Sequence, residues 1–499
     1  MMNRRQFFRT SAAAAAAFAL PVPRLYALDG SASQAAGGIA AVRLDGSATV
    51  IEQAALAELK AALRGPLLLA GDPGYDAARR VLNESIDLHP AVVVQPTGAA
   101  DVAAAVRFAR ERELLLAVKC GGHSPSGKST CEKGLQLDLS RLRGVRVDPK
   151  ARRAFVEGGS LLGEVDHEAM AQGLVTTCGT VSHTGVGGLT LGGGFGRLAR
   201  RFGLALDNVR SLDVVTADGM LRHASAEENP DLYWALRGGG GNFGVVTNFE
   251  FELHPMQREV VAGAFVFPFE RARELLAFYG DYTANVPEEM QVDFFMQAPR
   301  AGKPPVAVIA CCWSGAAGQA EAALAPVRKL GKPLADTVKA QDYCVVQRSN
   351  DNLDPRSEGT YLKSGFINGF PAGLADTVID NFRADPARST SFFVQQAGGA
   401  IGRVATDATA FPHRRATHGI FTTVAWSLAD DRAPHVAACR EYWAKLEPMT
   451  DGYYTNETGD EGQRRIDDNY QGNLPKLREV KRRYDPANLF RLNANVQPA

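Results

Sequence analysis

The segment Lys119-Cys120-Gly121-Gly122-His123-Ser124, directly after the apolar run Leu114–Val118, constrains this chain most. A histidine set on paired glycines at a strand end is badly placed for core packing and well placed for chemistry at a bound group. Two more glycine-rich runs follow in order, Gly185 to Gly196 and Arg237 to Gly244. Backbone amides free of side chains can cradle phosphate oxygens. The stretch from Thr180 through Gly185, Gly187, Gly188, Gly192, Gly193, Gly194 and Gly196 therefore reads as a pyrophosphate loop. A nicotinamide-binding turn is the competing reading, but it needs a strand before it and a helix opening on it. Ser182-His183-Thr184 makes a poor strand end, so the competing reading is set aside.

At 499 residues the chain is too long for one ordinary core, and two domains are expected. Basic and acidic residues both total 55, so no basic excess exists to draw nucleic acid or an anionic membrane. Asn3-Arg4-Arg5-Gln6-Phe7-Phe8-Arg9 followed by the apolar run Ala12–Leu20 reads as a twin-arginine signal over residues 1–27, with cleavage after Ala27. The expectation is an exported protein, periplasmic or secreted, that meets the twin-arginine export machinery already folded. An uncleaved apolar anchor is the alternative, but the run falls short of the ~20 residues a spanning helix needs, and no stable membrane span is expected. Seven cysteines show no metal-type spacing, so no metal is expected. One disulfide could form in an oxidising compartment, with the pair left open, and Cys311-Cys312 read as core residues.

Residues 28–70 read as a linker and lead-in. Beyond them the pattern predicts a strand at Ala91–Gln95 and a helix from Thr97 with Val102, Val106 and Ala109 on its apolar face. Short strands follow at Leu135–Leu139, Val145–Val147 and Ala154–Val156, then a hairpin over Leu212–Leu221 closed at Asp218-Gly219. Val245, Thr247, Phe249, Phe251 and Leu253 alternate with polar residues as a half-buried strand. Residues 259–440 alternate strands and helices without a glycine-rich loop and read as a substrate domain. Leu474, Leu477, Val480 and Tyr484 give a helical stripe near the C-terminus.

These motifs together resemble the berberine-bridge-enzyme type of flavin oxidoreductase, whose FAD-binding domain is shared with vanillyl-alcohol oxidase and p-cresol methylhydroxylase. The resemblance spans about Gly71 to Val496 and includes the tail Asp485-Pro-Ala-Asn488-Leu-Phe490-Arg-Leu-Asn493. It implies an α+β, two-domain FAD-binding fold over residues 71–258, a separate substrate domain on an antiparallel sheet with helices, and a segment 441–499 returning to the FAD domain. It also implies FAD bonded covalently to His123. Lys119 and Cys120 stand where the family usually has arginine and glycine. Some members carry a second anchor, a cysteine, at the position of Val181; Cys178 is out of register with it, so a single link is expected. Gly241 and Val246 would face the cofactor from the third glycine run, and Asn493 from the tail. Thr184 matches the position that gates oxygen in the family and is neither of the apolar residues usually compared there.

Oxidising an alcohol, hemiacetal or amine needs a base for the O–H or N–H proton while hydride leaves for the flavin. Tyr454 resembles a family tyrosine near the flavin; as a base it would need its pKa lowered from ~10 by positive charge. Tyr361 and Lys363 could supply that charge or line the pocket, and of Gln395 and Gln396 one side chain should point at the ring, with Gln396 taken as the candidate. The expected function is an FAD-dependent oxidase or dehydrogenase acting on a small molecule, with oxygen or another electron acceptor. A flavin-carrying binding or redox-relay protein without its own turnover is the alternative.

Overall fold

The computed structural model describes residues 37–351, 358–457 and 460–499. The segment read above as a twin-arginine signal, with the cleavage expected after Ala27, lies outside them. Three short parallel strands, Val92–Val94, Leu135–Asp138 and Leu116–Lys119, form a small sheet closed on one side by antiparallel Leu67–Leu68. Helix Ala99–Glu111 makes the crossover, and its Val102, Val106 and Ala109 are fully buried, as the periodicity predicts. Fully burying each valine contributes about 1.5–3 kcal/mol. The helix begins at Ala99 rather than Thr97, because the Asp101 carboxylate reaches back to accept from the Thr97 amide and hydroxyl.

The lead-in differs from the linker expected over residues 28–70. Strands Gly38–Val42 and Ala48–Glu52 form a hairpin, helix Gln53–Ala62 follows, and Ala41, Ile51, Leu56 and Leu59 are buried in the same core as helix Ala99–Glu111. Leu56 and Leu59 share one helical face, a signal that the surrounding small residues obscured.

A five-stranded antiparallel sheet carries the rest of the first lobe, in the order Leu221–Ser225, Val209–Val215, Val245–Glu252, Arg153–Glu157, Val145–Asp148. The expected hairpin is there, with Val215 paired to Leu221. The second lobe is an eight-stranded antiparallel sheet within Glu259–Ser427. Helices Ala272–Thr283, Leu374–Asn381 and Arg432–Leu446 cover one face of it around a core of Leu276, Phe294, Phe392 and Trp443. Helix Arg432–Leu446 runs through residue 440, and its Cys439 and Trp443 are buried against the sheet, so the C-terminal segment starts beyond that helix. All seven cysteines are free thiols. Among the described residues no helix is long and apolar enough to cross a membrane.

The tail returns to the first lobe through helix Leu474–Tyr484, whose Leu477, Val480 and Tyr484 pack with Trp234 and Phe243. At its end Lys481 and Asp485 are both completely buried and paired at 2.7 Å. The Lys481 ammonium also donates to the carbonyls of Asn242 (2.8 Å) and Phe490 (3.0 Å), and the Asp485 carboxylate accepts from the amides of Leu489 and Phe490. Removing one member of a buried, hydrogen-bonded pair strands the other charge. Asp485→Ala is expected to cost about 3–5 kcal/mol in a denaturant titration, while Arg483→Ala, at an exposed pair with Asp231, should cost under about 1 kcal/mol.

Candidate active site

Gly121 and Gly185 bring two distant loops into backbone contact. A Cβ on Gly121 would stand 2.3 Å from the Gly185 nitrogen, and one on Gly185 would stand 2.3 Å from the Gly121 nitrogen and 2.4 Å from the Cys120 sulfur. Only glycine at both positions permits this approach. Gly122 sits at φ +71°, and its carbonyl accepts from the Leu82 amide at 2.9 Å. Cys120 is not in the left-handed region, so it fits the turn in place of glycine; its half-buried thiol is pushed up to about 11 by desolvation. The Lys119 ammonium points back under the loop to the carbonyls of Ala78 and Arg80 and to Asp138.

The contact sets His123 beside the second loop. Its Nε2 lies 2.7 Å from Nδ1 of His183, and its Nδ1 lies 3.3 Å from the Thr184 hydroxyl. Ser124 Oγ accepts from the Lys128 amide, closing the turn, and the Thr180 carbonyl accepts from Arg197. Lys128 is a cation that sequence reasoning missed: its ammonium donates to the Asn493 carbonyl at 3.0 Å, and desolvation holds its pKa below the ordinary lysine value.

The glycines of the second run divide by what surrounds them. Beside Gly188 there is open space within 4 Å, and beside Gly241 only the Asn493 amide at 4.0 Å. A Cβ on Gly187 would stand 3.0 Å from the Gly158 carbonyl oxygen. Gly192, Gly193, Gly194 and Gly196 instead meet protein: a Cβ there would strike Asn456, Tyr454, Ala205 and the Cys178 carbonyl respectively. Their smallness serves packing, where the sequence suggested an open phosphate cradle. Val246 is buried with its carbonyl against Gly158. Asn493 and Asn495, on the returning tail, each keep a buried Oδ1 without a hydrogen-bond partner among the described residues.

Strand parity corrects the substrate side. Phe366, Phe393 and Phe421 face the first lobe, where Phe366 and Phe421 are buried with Phe195, Phe411 and Tyr454. Across the paired strands Phe393 opposes Phe421 and Gln395 opposes Gly419, so Gln395 shares that face. Gln396, Tyr361 and Lys363 point the other way. The Gln396 amide is used up in the sheet interior, accepting from the Val292 amide and donating to the Thr283 carbonyl. Tyr361 donates to Asp460, and Lys363 is paired with Asp460 and Glu461 at 2.7 Å each. Neither Gln396 nor Tyr361 reaches the site, because a one-residue offset in a strand reverses the face. Asp207 is bonded through both oxygens to the buried Arg414.

Tyr454 does lie at the junction of the lobes. Its hydroxyl accepts from the Gly194 amide at 2.9 Å and from Asn456 Nδ2 at 2.8 Å. Burial pushes its pKa up to about 12, the opposite of what a base at neutral pH requires. Cys178 is buried in the core, and desolvation raises its thiol well above the ordinary value.

Residues 90–225 match the family described as FAD binding domain, and residues 453–497 match the family described as berberine and berberine like. An FAD-linked oxidoreductase of Dictyostelium discoideum is 32% identical over 413 residues, covering 82% of this chain and 89% of that protein. This chain belongs to the berberine-bridge-like FAD-linked oxidoreductases. The (R)-6-hydroxynicotine oxidase of Paenarthrobacter nicotinovorans is 30% identical over 454 residues, 87% of this chain and 97% of the relative. The solved structure of 6-hydroxy-D-nicotine oxidase from Arthrobacter nicotinovorans matches with a TM-score of 0.81 at 28% identity, across 88% of this chain and 98% of that one.

The residues of this oxidoreductase fit FAD. The open flanks of Gly188 and Gly241, the unpartnered oxygens of Asn493 and Asn495 and the Lys128 cation give a large, polar, anionic ligand both room and partners. Tyr454→Phe would leave the Gly194 amide without its acceptor, costing about 1–3 kcal/mol of stability. With the phenol neutral in both forms of the site, a pH–rate profile should keep its basic limb unchanged in that variant.

Proposed function

We propose that this oxidoreductase carries FAD on a single covalent bond from His123 and oxidises a small organic alcohol, hemiacetal or amine, passing electrons to oxygen or another acceptor. The observation that carries the reading is the placement of His123 on a turn locked by Gly121 and Gly185, with Nδ1 turned toward Thr184 and away from any core. When bound, FAD supplies a methyl carbon that a histidine nitrogen can attack and a ring nitrogen that accepts hydride. Val181 in place of a cysteine, and Cys178 buried in the core, support one link instead of two. The similarity to a hydroxynicotine oxidase supports a small-molecule substrate. The twin-arginine pattern supports export of the folded, loaded enzyme.

The sheet face that carries Gln395 also carries Asp293, directly opposite it in the neighbouring strand. Desolvation pushes the Asp293 carboxyl up to about 6, against the bonds it accepts from Gln291 and the Gln396 amide and the attraction of Arg197 and Arg200. A carboxylate with that pKa is matched to taking a substrate proton near neutrality. Asp293 thus replaces Tyr361, Gln396 and Tyr454 as the group assigned to this role.

On a denaturing gel under ultraviolet light, the wild-type band should fluoresce and His123→Ala should be dark; a bright variant band would move the anchor elsewhere. Anaerobic mixing with a panel of alcohols, sugars and amines should bleach the wild-type flavin. The base form of Asp293 is the deprotonated one, so the bleaching rate should rise as pH increases through about 6. Asp293→Asn should slow bleaching by about 10²-fold and remove that rise; an unchanged profile excludes Asp293.

A further inference from the structure

The imidazoles of His123 and His183 form a directed pair. Nε2 of His183 lies 3.3 Å from the Asp351 carbonyl, and its Nδ1 lies 2.7 Å from Nε2 of His123. A carbonyl oxygen only accepts, so Nε2 of a neutral His183 carries the proton and Nδ1 the lone pair. That lone pair accepts from His123 Nε2–H, which leaves the lone pair of His123 on Nδ1, beside the Thr184 hydroxyl at 3.3 Å. One backbone carbonyl sets the tautomer of both rings. Its position is fixed in turn, because the Asp351 carboxylate accepts from the Ser182 amide at 2.8 Å and the Ser182 hydroxyl at 2.6 Å. His183 therefore lies in a loop that the same aspartate clamps through its neighbour Ser182.

We propose that His183 is a positioning residue for cofactor attachment, holding His123 as its Nε2–H tautomer and taking that proton as Nδ1 bonds to the flavin methyl carbon. The inference rests on the covalent reading above. In the step one methyl C–H bond breaks and one N–C bond forms. Two protons leave, one from the methyl and one from His123 Nε2. The two electrons pass to the flavin ring, which is the oxidant, and dioxygen then takes them up as hydrogen peroxide. Loss of the Nε2 proton is what lets the substituted imidazole end neutral; without an acceptor there it would remain a cation in a half-buried turn. His183 also borders a surface cleft of about 360 Å³ lined by Ser182, Glu164 and Gln347. Water in that cleft can carry the accepted proton away, and the ring is restored for the neutral resting state.

The test uses full-length protein made in riboflavin-limited cells, given FAD, and sampled over time for fluorescence that survives denaturation. His183→Ala should attach flavin about 10²-fold more slowly than wild type, while its melting temperature and its reversible FAD binding stay unchanged. Added imidazole should restore much of the rate in His183→Ala, and His183→Gln, which can accept the hydrogen bond but not the proton, should fall between. Attachment at the wild-type rate in His183→Ala overturns the proposal. So does a loss that follows loss of FAD binding and that neither imidazole nor His183→Gln relieves. A wild-type band that never becomes fluorescent overturns the covalent reading itself, and this inference with it.

Discussion

Two backbones meet with no side chain between them at Gly121 and Gly185, and the arrangement of the site depends on that contact. The constraint is one of space more than of conformation. Gly185 sits at φ −74°, which any residue adopts, yet a single added methyl would overlap a nitrogen and a sulfur. Such overlap is relieved only by parting the loops, since packed interiors do not yield by an ångström without wider shifts. Parting them would carry His123 away from His183 and Thr184 together, and with them the hydrogen bonds that define the histidine's tautomer. A pair of missing side chains therefore fixes the place of His123.

The second lobe and the tail are held to this centre by charges buried with their partners. Arg414 grips Asp207 through both nitrogens, and Arg200 donates to carbonyls at Ala397 and Met290. Lys481 and Asp485 tie the tail helix to the turn at Asn242, whose side chain in turn accepts from the Val496 amide. These bonds place Asn493 beside Gly241. Burying a charge is costly unless its partners are nearly ideal, so such clusters specify one docking geometry more than they add net stability. Tyr454 completes the closure. Its ring packs against Phe195, and its hydroxyl holds the Gly194 amide, so the tail segment and the second glycine run stabilise each other.

What the sequence made legible was local in the chain. The Val102, Val106 and Ala109 stripe and the Leu477, Val480 and Tyr484 stripe announce themselves by spacing alone, and each is buried where it was expected. Partners far apart in sequence were not legible. Nothing near Tyr361 indicates Asp460, nothing near Gly194 indicates Tyr454, and His183 in isolation is an ordinary loop histidine. The assignment of Gln396 failed for a different reason. Alternation says that Gln395 and Gln396 face opposite ways, but which face meets the cofactor lobe is decided by helices packed on the other side of the sheet. Asp293 escaped notice because its perturbation comes from burial between lobes, which no window of sequence reports. The lead-in was misread because small residues resemble a linker until the buried Ile51, Leu56 and Leu59 are seen in one core.

The placement of His123 between the two glycine motifs predicts that the cofactor is bonded to the chain there. Proteolysis of the denatured enzyme, with mass spectrometry of the flavin-bearing fragment, tests it most directly. With cleavage after lysine the fragment is expected to run from Cys120 to Lys128, with the added mass of FAD on His123 and an unmodified Cys178 in its own peptide. Recovery of the flavin on any other residue, or an unmodified His123 peptide from fully loaded yellow protein, would contradict the account.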